Sequence, residues 1–359
     1  MKQFISLLAL LVTVCTNATI RTVSNSPSTL AQFNTIQAAI NASSSGDTVY
    51  VHGSPNQYSA FTLTNKQLVI IGPGWSPNKN LPFTAEINGC TITGTSCSNT
   101  ELQGLVFVAG VTINSNHPDS LRFIRNRFYH LPFSLNEGSV TYNGYLFEGN
   151  WIDNSQITAS TAGTYQNFLF QNNYFYENGC CVDGNVNSFF NSVNVLFNHN
   201  LWFGPGSGTR NCFSNSCRFL TLTNNIFVRR DAASSLSSST FNNNITFLCG
   251  SSGDTAWIRN SNTNGGGNVA AQDPQMASQA AVNAGTNDPL LDFTISAGPA
   301  NNSGSDGKDM GLLYDVVGSL NWTTSRTSRL PFIFSMNIIN PTIPVGDTLH
   351  VQVQARKNN

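Results

Sequence analysis

The segment Phe123-Ile-Arg-Asn126-Arg-Phe128 is the first of six copies of one pattern. An apolar residue is followed by two polar or small residues, an Asn, any residue and, in five of the copies, a second apolar residue. The Asn residues are 24, 23, 27, 25 and 19 residues apart. This period is too short for a propeller blade and lacks the Leu pattern of a leucine-rich repeat, so it predicts coils of a parallel β-helix, each with three short strands. The other copies are Phe147-Glu-Gly-Asn150-Trp-Ile152, Phe170-Gln-Asn-Asn173-Tyr-Phe175, Phe197-Asn-His-Asn200-Leu-Trp202, Leu222-Thr-Asn-Asn225-Ile-Phe227 and Phe241-Asn-Asn-Asn244-Ile-Thr246.

Alternation along the strands decides which side chains enter the core. The residues three before and two after each Asn point inward, so stacked coils bring like side chains together about 4.8 Å apart. We expect the Asn itself to lie between two strands in left-handed backbone, with its amide bonded to the Asn one coil further on. These Asn residues are therefore interpreted as architecture and not as ligands.

Composition limits the possible partners. The chain has 359 residues, of which 40% are hydrophobic and 10% charged, and its formal net charge is -1. No basic field is present to bind a nucleic acid backbone. The 24 Phe residues are too many for a disordered chain, and no apolar run after residue 20 is long enough to cross a bilayer.

The N-terminal residues predict export. Lys2 precedes an apolar run from Phe4 to Val14, and small residues follow in Thr16-Asn17-Ala18. Residues 1–18 are therefore predicted to be a signal peptide, and the protein to be secreted or at the cell surface. The alternative is a buried first helix.

Seven cysteines follow Cys15, and an exported chain permits disulfides. Cys90 with Cys97 and Cys212 with Cys217 are close enough in sequence to close short loops, and at least one thiol stays unpaired because the number is odd. Neither Cys180 nor Cys181 is expected to be needed for activity. The sequence contains no CxxC pair, so a structural zinc site is not expected. We predict no metal and no cofactor.

Residues 33–42 have apolar side chains at helical spacing and predict a short amphipathic helix. The segments around this helix and near residue 310 resemble the cap and closing coils of right-handed parallel β-helix proteins of the pectin-lyase-like superfamily. The resemblance implies an all-β fold of roughly ten coils over residues 19–318, with an N-terminal capping helix. The segments that carry it are Thr35-Ile-Gln-Ala-Ala-Ile40, Gly46-Asp47-Thr48, Tyr58, Asn65-Lys66, Ile71-Gly-Pro-Gly74, Gly267-Asn268, Asp273-Pro274, Gly304-Ser-Asp-Gly307 and Asp309-Met-Gly311.

Residues 319–359 differ from the repeats. They predict two strands, Leu330–Ile339 and Leu349–Ala355. Strict alternation of apolar and polar residues in the second strand predicts one buried and one solvent-exposed face. The pair is interpreted as a hairpin that covers the last coil, and the alternative is an attachment module.

The superfamily's best-known catalytic patterns are missing. Pectate lyases hold Ca2+ with clustered Asp residues and use Arg as base, whereas the Asp residues here are scattered. The Trp151-Ile-Asp153-Asn154 stretch resembles one of theirs, but Asn replaces the His, and we attribute the match to chance. The Asn-Thr-Asp, Asp-Asp and Gly-His-Gly pattern of polygalacturonases is absent from the sequence.

Alignment of the coils on the Asn residues predicts a site instead. The residues one and three after each Asn should point outward, and they form an aromatic and charged face on the middle coils. The alternative is that a loop, for example Gly204–Cys217, covers this face. The predicted catalytic residues are Asp153, Glu177, His130 and Arg127, the last as a fixed cation, and the predicted substrate-binding residues are Tyr129, Trp151, Tyr174 and Tyr176.

Three functions fit this sequence. The first is a secreted enzyme that acts on polysaccharide, either a lyase or a glycoside hydrolase. The second is a non-catalytic adhesin or structural spacer that binds glycan. The third, a virion depolymerase, is disfavoured by the predicted signal peptide. The partner in the first two is a polysaccharide or cell-surface glycan, and we expect a monomer.

Overall fold

The computed structural model describes residues 18–76, 83–114, 116–135, 137–316, 318, 320–326, 332–339, 344–346 and 348–356. The predicted signal peptide therefore lies outside the described residues except for Ala18. No helix among the described residues is long and apolar enough to span a membrane.

Three parallel sheets run along the molecule, and successive strands in each sheet come from successive coils. Crossover connections between parallel strands are right-handed in nearly all proteins. The predicted right-handed parallel β-helix of about ten coils is therefore confirmed, and this is the fold that the resemblance to the pectin-lyase-like superfamily implies.

Sheet A has eleven strands, sheet B eight and sheet C seven. The strands of sheet A are Ile20–Val23, Thr48–Val51, Val69–Ile71, Glu101–Gln103, Arg122–Ile124, Leu146–Glu148, Leu169–Gln171, Val195–Asn198, Leu220–Thr223, Thr240–Asn242 and Thr263–Gly266. Those of sheet B are Glu86–Ile87, Val106–Phe107, Arg127–Tyr129, Trp151–Asp153, Tyr174–Tyr176, Leu201–Phe203, Ile226–Val228 and Ile245–Phe247. Those of sheet C are Phe61–Thr64, Cys90–Thr93, Val111–Ile113, Phe133–Leu135, Ile157–Thr158, Val186–Asn187 and Phe213–Ser214.

Smaller elements complete the described fold. The other parallel sheets pair Thr141–Asn143 with Thr164–Gln166 and Asn191–Val193, Arg210–Asn211 with Arg230–Asp231, and Cys217–Arg218 with Leu236–Ser237. The α-helices are Ile36–Ala42, Gly250–Gly253, Gln279–Asn283 and Trp322–Ser325, and the 3-10 helices are Thr95–Cys97 and Ala256–Ile258.

The predicted capping helix begins three residues later than the sequence suggests, at Ile36, because the hydroxyl of Thr35 accepts the N–H of Ala38 as an N-cap. Its apolar face, Ile36, Ala39 and Ile40, is buried against the first coils. The helix thereby covers the open end of the core.

The inward positions are occupied as predicted. Phe123, Phe147, Phe170 and Phe197 are fully buried, and their rings stack from coil to coil at centroid distances of 5.0, 4.7 and 4.3 Å. Sheet B contributes a second buried column, formed by Phe128, Ile152, Phe175, Trp202, Phe227 and Thr246. Stacked aromatic side chains therefore fill the β-helix core.

The predicted Asn ladder is confirmed and extends one coil further than the repeat, to Asn268. Amide-to-amide hydrogen bonds of 2.9–3.1 Å link the ladder side chains in the order Asn150, Asn173, Asn200, Asn225, Asn244 and Asn268. The left-handed backbone is not at these residues, as expected from sequence, but one residue earlier. There φ is positive at Arg125, Gly149, Asn172, His199, Asn224 and Asn243.

The prediction that the segment near residue 310 forms closing coils of the β-helix is wrong. The last strand of sheet A ends at Gly266, and the described residues of 276–326, here called the cover segment, fold back over the outer face of sheet B. Apolar side chains of this segment, such as Phe293, Met310 and Trp322, pack on the outer column of sheet B from Tyr174 to Ile245. The domain limits 19–318 and 319–359 stay predictions.

The C-terminal residues form the predicted antiparallel hairpin, Phe332–Ile338 with Val351–Arg356. Residues 351–354 are exposed on both faces, with Val351 at 39% and Val353 at 47%, so the predicted buried face is wrong for this part of the strand. Covering of the last coil stays a prediction.

The two disulfides that the short sequence spacing would allow are not formed. Cys90, Cys97, Cys212 and Cys217 are free, and like Cys249 they are buried as small core side chains. The disulfide in the structure joins the adjacent, exposed residues Cys180 and Cys181.

Removal of one ladder side chain tests how much the ladder stabilises the fold. Asn173 accepts from the N–H (2.9 Å) and the amide (3.0 Å) of Asn150, and it donates to the carbonyl of Phe147. Asn173→Ala removes these three buried hydrogen bonds and leaves the N–H of Asn150 without its side-chain acceptor, and we expect the free energy of unfolding in denaturant to fall by about 4 kcal/mol.

The matched control is Asn143→Ala. This half-buried side chain accepts one exposed hydrogen bond, from Asn167, and its loss should cost less than about 1 kcal/mol. Equal losses in the two variants would contradict a special role for the buried ladder.

Candidate functional site

One outward column of sheet B carries the candidate site. Strand pairing aligns Glu86 with Val106, Val106 with Arg127, Arg127 with Trp151 and Trp151 with Tyr174. Because side chains at one register position point to the same face, these residues follow one another along the outer surface. Glu86 and Arg127 are two coils apart, which corresponds to about 9.6 Å between their strands.

A cleft of about 580 Å3 opens over the N-terminal part of this column. One wall comes from the early coils and the other from residues 287–290 of the cover segment. The volume is within the range of roughly 300–1,000 Å3 that is typical of ligand sites. The lining residues are Ser54, Pro55, Trp75, Phe83, Thr84, Glu86, Arg127, Trp151, Asn287, Asp288, Pro289 and Leu290.

Arg127 is held in a fixed position in the cleft. Its guanidinium donates to Asp153 Oδ2, with Nε at 3.1 Å, and lies 3.9 Å from the ring centre of Trp151 and 4.4 Å from that of Tyr129. Its side chain keeps 27% of its surface exposed. The ion pair with a buried carboxylate and the contacts with two aromatic faces hold the guanidinium in place. The role of Arg127 as a fixed cation in function stays a prediction.

Asp153 does not face the cleft. Its exposure is 0%, and its second oxygen accepts hydrogen bonds from Asn154 (3.0 Å) and Asn287 (2.8 Å). The expectation of an accessible carboxylate is therefore wrong, because the cover segment and Arg127 occupy both oxygens. The geometry makes Asp153 the group that orients Arg127 and attaches residue 287 to the β-helix.

The aromatic row is largely covered. Tyr174 is 0% and Tyr176 5% exposed, and their hydroxyls bond Asn287 Oδ1 (3.2 Å) and Gly285 O (3.1 Å). The expectation that both rings are exposed is wrong, and a covered face is correct, although the covering residues are 276–326 and not Gly204–Cys217. Trp151, at 7% exposure, lies where the cover ends and lines the cleft.

The remaining predicted residues are not part of the cleft lining. Tyr129 and His130 are half-buried and stack on each other at 3.6 Å between ring centres. Glu177 is 1% exposed, so its expected place on an open face is wrong. Burial raises the pKa of the Glu177 carboxyl above its ordinary value, and the neighbouring Arg230 offsets part of that shift.

Of the lining residues, sequence reasoning found only Arg127 and Trp151, and it missed the aromatic and acidic residues Trp75, Phe83, Glu86 and Asp288. The repeat pattern begins at Asn126, so coils that precede it could not be aligned with it. Asp288 belongs to the cover segment, which has no repeat. The pairing of Glu86 through Val106 with Arg127 becomes visible only from strand register.

Aromatic and charged side chains lie together in the cleft. Phe83 is 44% exposed at the cleft, and Trp75 contacts Trp151 edge-on at 5.4 Å between ring centres. Glu86 is exposed and Asp288 half-buried, so two carboxylates and one fixed cation line an aromatic cavity. Aromatic faces suit the apolar faces of sugar rings, and carboxylates suit their hydroxyls.

No family model and no curated protein matches the chain. Among solved structures, the chain is similar to pectate lyase Pel9A, with 16% identity and a TM-score of 0.45 over 82% of this chain and 95% of that one. It is also similar to the pectin methylesterase from Aspergillus niger in deglycosylated form, with 12% identity and a TM-score of 0.33 over 71% of this chain and 92% of that one. Similarities at this level carry no assignment of activity.

The buried Glu177 predicts a distinctive pH dependence of stability. Its pKa in the folded state is raised above the ordinary value of 4.5, so the folded protein binds the proton more tightly than the unfolded chain. The contribution to stability is present below the ordinary pKa and is lost as pH rises through the folded pKa. Glu177→Gln should therefore gain thermal stability relative to the unmodified chain as pH rises above the ordinary Glu pKa of 4.5.

Asp292→Asn is a control of opposite sign. The N–H and hydroxyl of Thr294 lower the pKa of the Asp292 carboxyl, so its contribution is lost as pH falls. Scanning calorimetry of both variants, from below the ordinary Asp pKa of 3.8 to well above the ordinary Glu pKa of 4.5, measures the two slopes. A Glu177→Gln difference that stays constant with pH would contradict the inferred shift.

Proposed function

We propose that this chain binds a neutral polysaccharide in the cleft formed by the early coils and residues 287–290. The observation that carries the proposal is the lining: an aromatic cavity of about 580 Å3 that also presents two carboxylates and a fixed guanidinium. This combination offers stacking surfaces together with hydrogen-bond acceptors and a donor, as sugar rings require.

The charges favour a neutral glycan over an acidic one. Arg127 is already paired with Asp153, so its positive charge is offset. Glu86 and Asp288 add two negative charges that have no second Arg or Lys in the described lining to balance them. A polymer of uronic acids would meet repulsion here, whereas neutral hydroxyls can donate to these carboxylates.

We also propose that the protein works outside the cell as a monomer. The predicted signal peptide supports export, and the disulfide between Cys180 and Cys181 is typical of an oxidising compartment. The working surface is the cleft around Arg127 and Trp151, one to two coils closer to the N-terminus than the centre of the predicted face.

Phe83→Ala tests the binding site with little effect on the fold, because the side chain is 44% exposed. Loss of one stacking aromatic should weaken binding roughly five- to tenfold. The measurement is affinity electrophoresis or calorimetry with a panel of neutral polysaccharides, such as soluble xylan, glucan and mannan, and with polygalacturonate as the acidic member.

Leu131→Ala is the matched control, because Leu131 is 48% exposed and lies outside the cleft lining. It should bind like the unmodified chain. Equal binding by both variants would place the glycan elsewhere, and a preference for polygalacturonate would contradict the argument from charge.

Glycoside hydrolysis is a second candidate function, and the presence of Glu86 and Asp288 in one cleft favours it. A glycosidase needs two carboxyl groups at the bond it cleaves, one of them as acid. Lyase chemistry with Arg127 as base is disfavoured, because its guanidinium is already engaged by the buried Asp153.

Hydrolysis predicts that Glu86→Gln and Asp288→Asn each lower the release of reducing ends by at least about a hundredfold while binding remains. Reducing-end assays on the bound glycan, together with absorbance of unsaturated products, measure this. Binding without any release of either product would leave the chain a glycan-binding protein and would exclude the hydrolytic role.

A further inference from the structure

A histidine and two adjacent cysteines meet outside the cleft. Cys180 and Cys181 lie in the connection between strands Tyr174–Tyr176 and Val186–Asn187, and both are exposed. His130 follows strand Arg127–Tyr129, two coils earlier. The two sulfur atoms and a ring nitrogen of His130 all lie within 4.8 Å of one another.

The imidazole of His130 is held in place by its surroundings. The backbone of His130 is left-handed, with φ of 62°, and the backbone N–H donates to the carbonyl of Asp153 at 3.1 Å. Its ring stacks on Tyr129 at 3.6 Å. A ligand that is fixed in advance costs less entropy when an ion binds, so His130 is suited to metal binding.

We propose that reduction of the Cys180–Cys181 disulfide creates a site for one thiophilic metal ion, bound by both sulfurs and by His130. The oxidised protein lacks the site, because a disulfide offers no thiolate. Two equivalents of a thiol reductant, or one phosphine with one water molecule that supplies the oxygen and the two protons, supply two electrons. The S–S bond breaks, each sulfur takes a proton, and the reductant leaves as its disulfide or its oxide.

Metal binding then releases both thiol protons and leaves two thiolates and one neutral imidazole as ligands. This soft donor set selects Zn2+ or Cu+ over Ca2+ or Mg2+. Three protein ligands leave a fourth position of a tetrahedral ion open to water. The cysteines are exposed and lie outside the strands, so the sulfurs can separate without disturbing the stacked coils.

The five buried thiols provide an internal background for the experiment. Cys90, Cys97, Cys212, Cys217 and Cys249 are all buried, and burial raises the pKa of each thiol, to about 12 for Cys217 and Cys249. A thiol that holds its proton is a poor ligand. These residues are present in every variant below.

Zn2+ titration of the full chain, with and without a phosphine reductant, tests the proposal. We expect one bound Zn2+ per reduced chain and none per oxidised chain, by dialysis and elemental analysis. Co2+ in place of Zn2+ should produce a sulfur-to-cobalt charge-transfer band only after reduction.

Variants identify the ligands. The double variant Cys180→Ser, Cys181→Ser should lose the bound ion and the cobalt band. His130→Asn should weaken binding at least about tenfold and is compatible with the left-handed backbone, because Asn tolerates it. His52→Asn is the matched control and should bind normally. Unchanged circular dichroism shows that each variant is folded.

Two results would overturn the proposal. One is equal Zn2+ binding by the double cysteine variant, which would assign the ion to other groups. The other is a reduced, folded chain that binds no Zn2+ and shows no cobalt band.

Discussion

Hydrogen bonds between buried Asn side chains are the constraint on which the rest of this structure depends. An amide buried in a β-helix needs both a donor and an acceptor, and here each is supplied by the coil before or after. A shift of one residue in any coil would break two ladder steps and turn the inward Phe column outward. The ladder therefore fixes the register of sheets A and B together, and with it every column on the outer surface.

The residues immediately before the ladder Asn residues influence what packs on the outside of the coils. Their left-handed backbone turns the chain between sheets A and B, and three of them then hold the cover segment by hydrogen bonds. Asn172 accepts the N–H of Leu313 (2.9 Å), Asn224 accepts that of Ser305 (2.7 Å), and Asn243 donates to the carbonyl of Ser303 (3.0 Å). The same turns therefore shape the core and attach the cover that forms one wall of the cleft.

The sequence was sufficient for the repeat and insufficient for the surface. Phe and Asn recur because identical coils present identical environments, so the fold, the inward columns and the ladder could be predicted. Tyr174 and Trp151 occupy equivalent outward positions, yet only Trp151 reaches the cleft, because the cover segment has no repeat and its docking cannot be read from a period. Cys212 and Cys217 are close in sequence, but both are buried as free thiols in the core, so short spacing did not predict a bond.

The burial of Asp153 explains why the cleft has a fixed cation at all. A carboxylate with 0% exposure is costly unless it is paired and hydrogen-bonded. The strand register pairs Arg127 with Trp151, two residues before Asp153 on the next coil, so the guanidinium reaches Asp153 Oδ2. Asn287 of the cover segment donates to Asp153 Oδ1. One buried charge thus orients the guanidinium and attaches the opposite wall of the cleft. Because the same group serves both purposes, the shape of the cleft and the position of its cation are coupled, and neither can change without exposing Asp153.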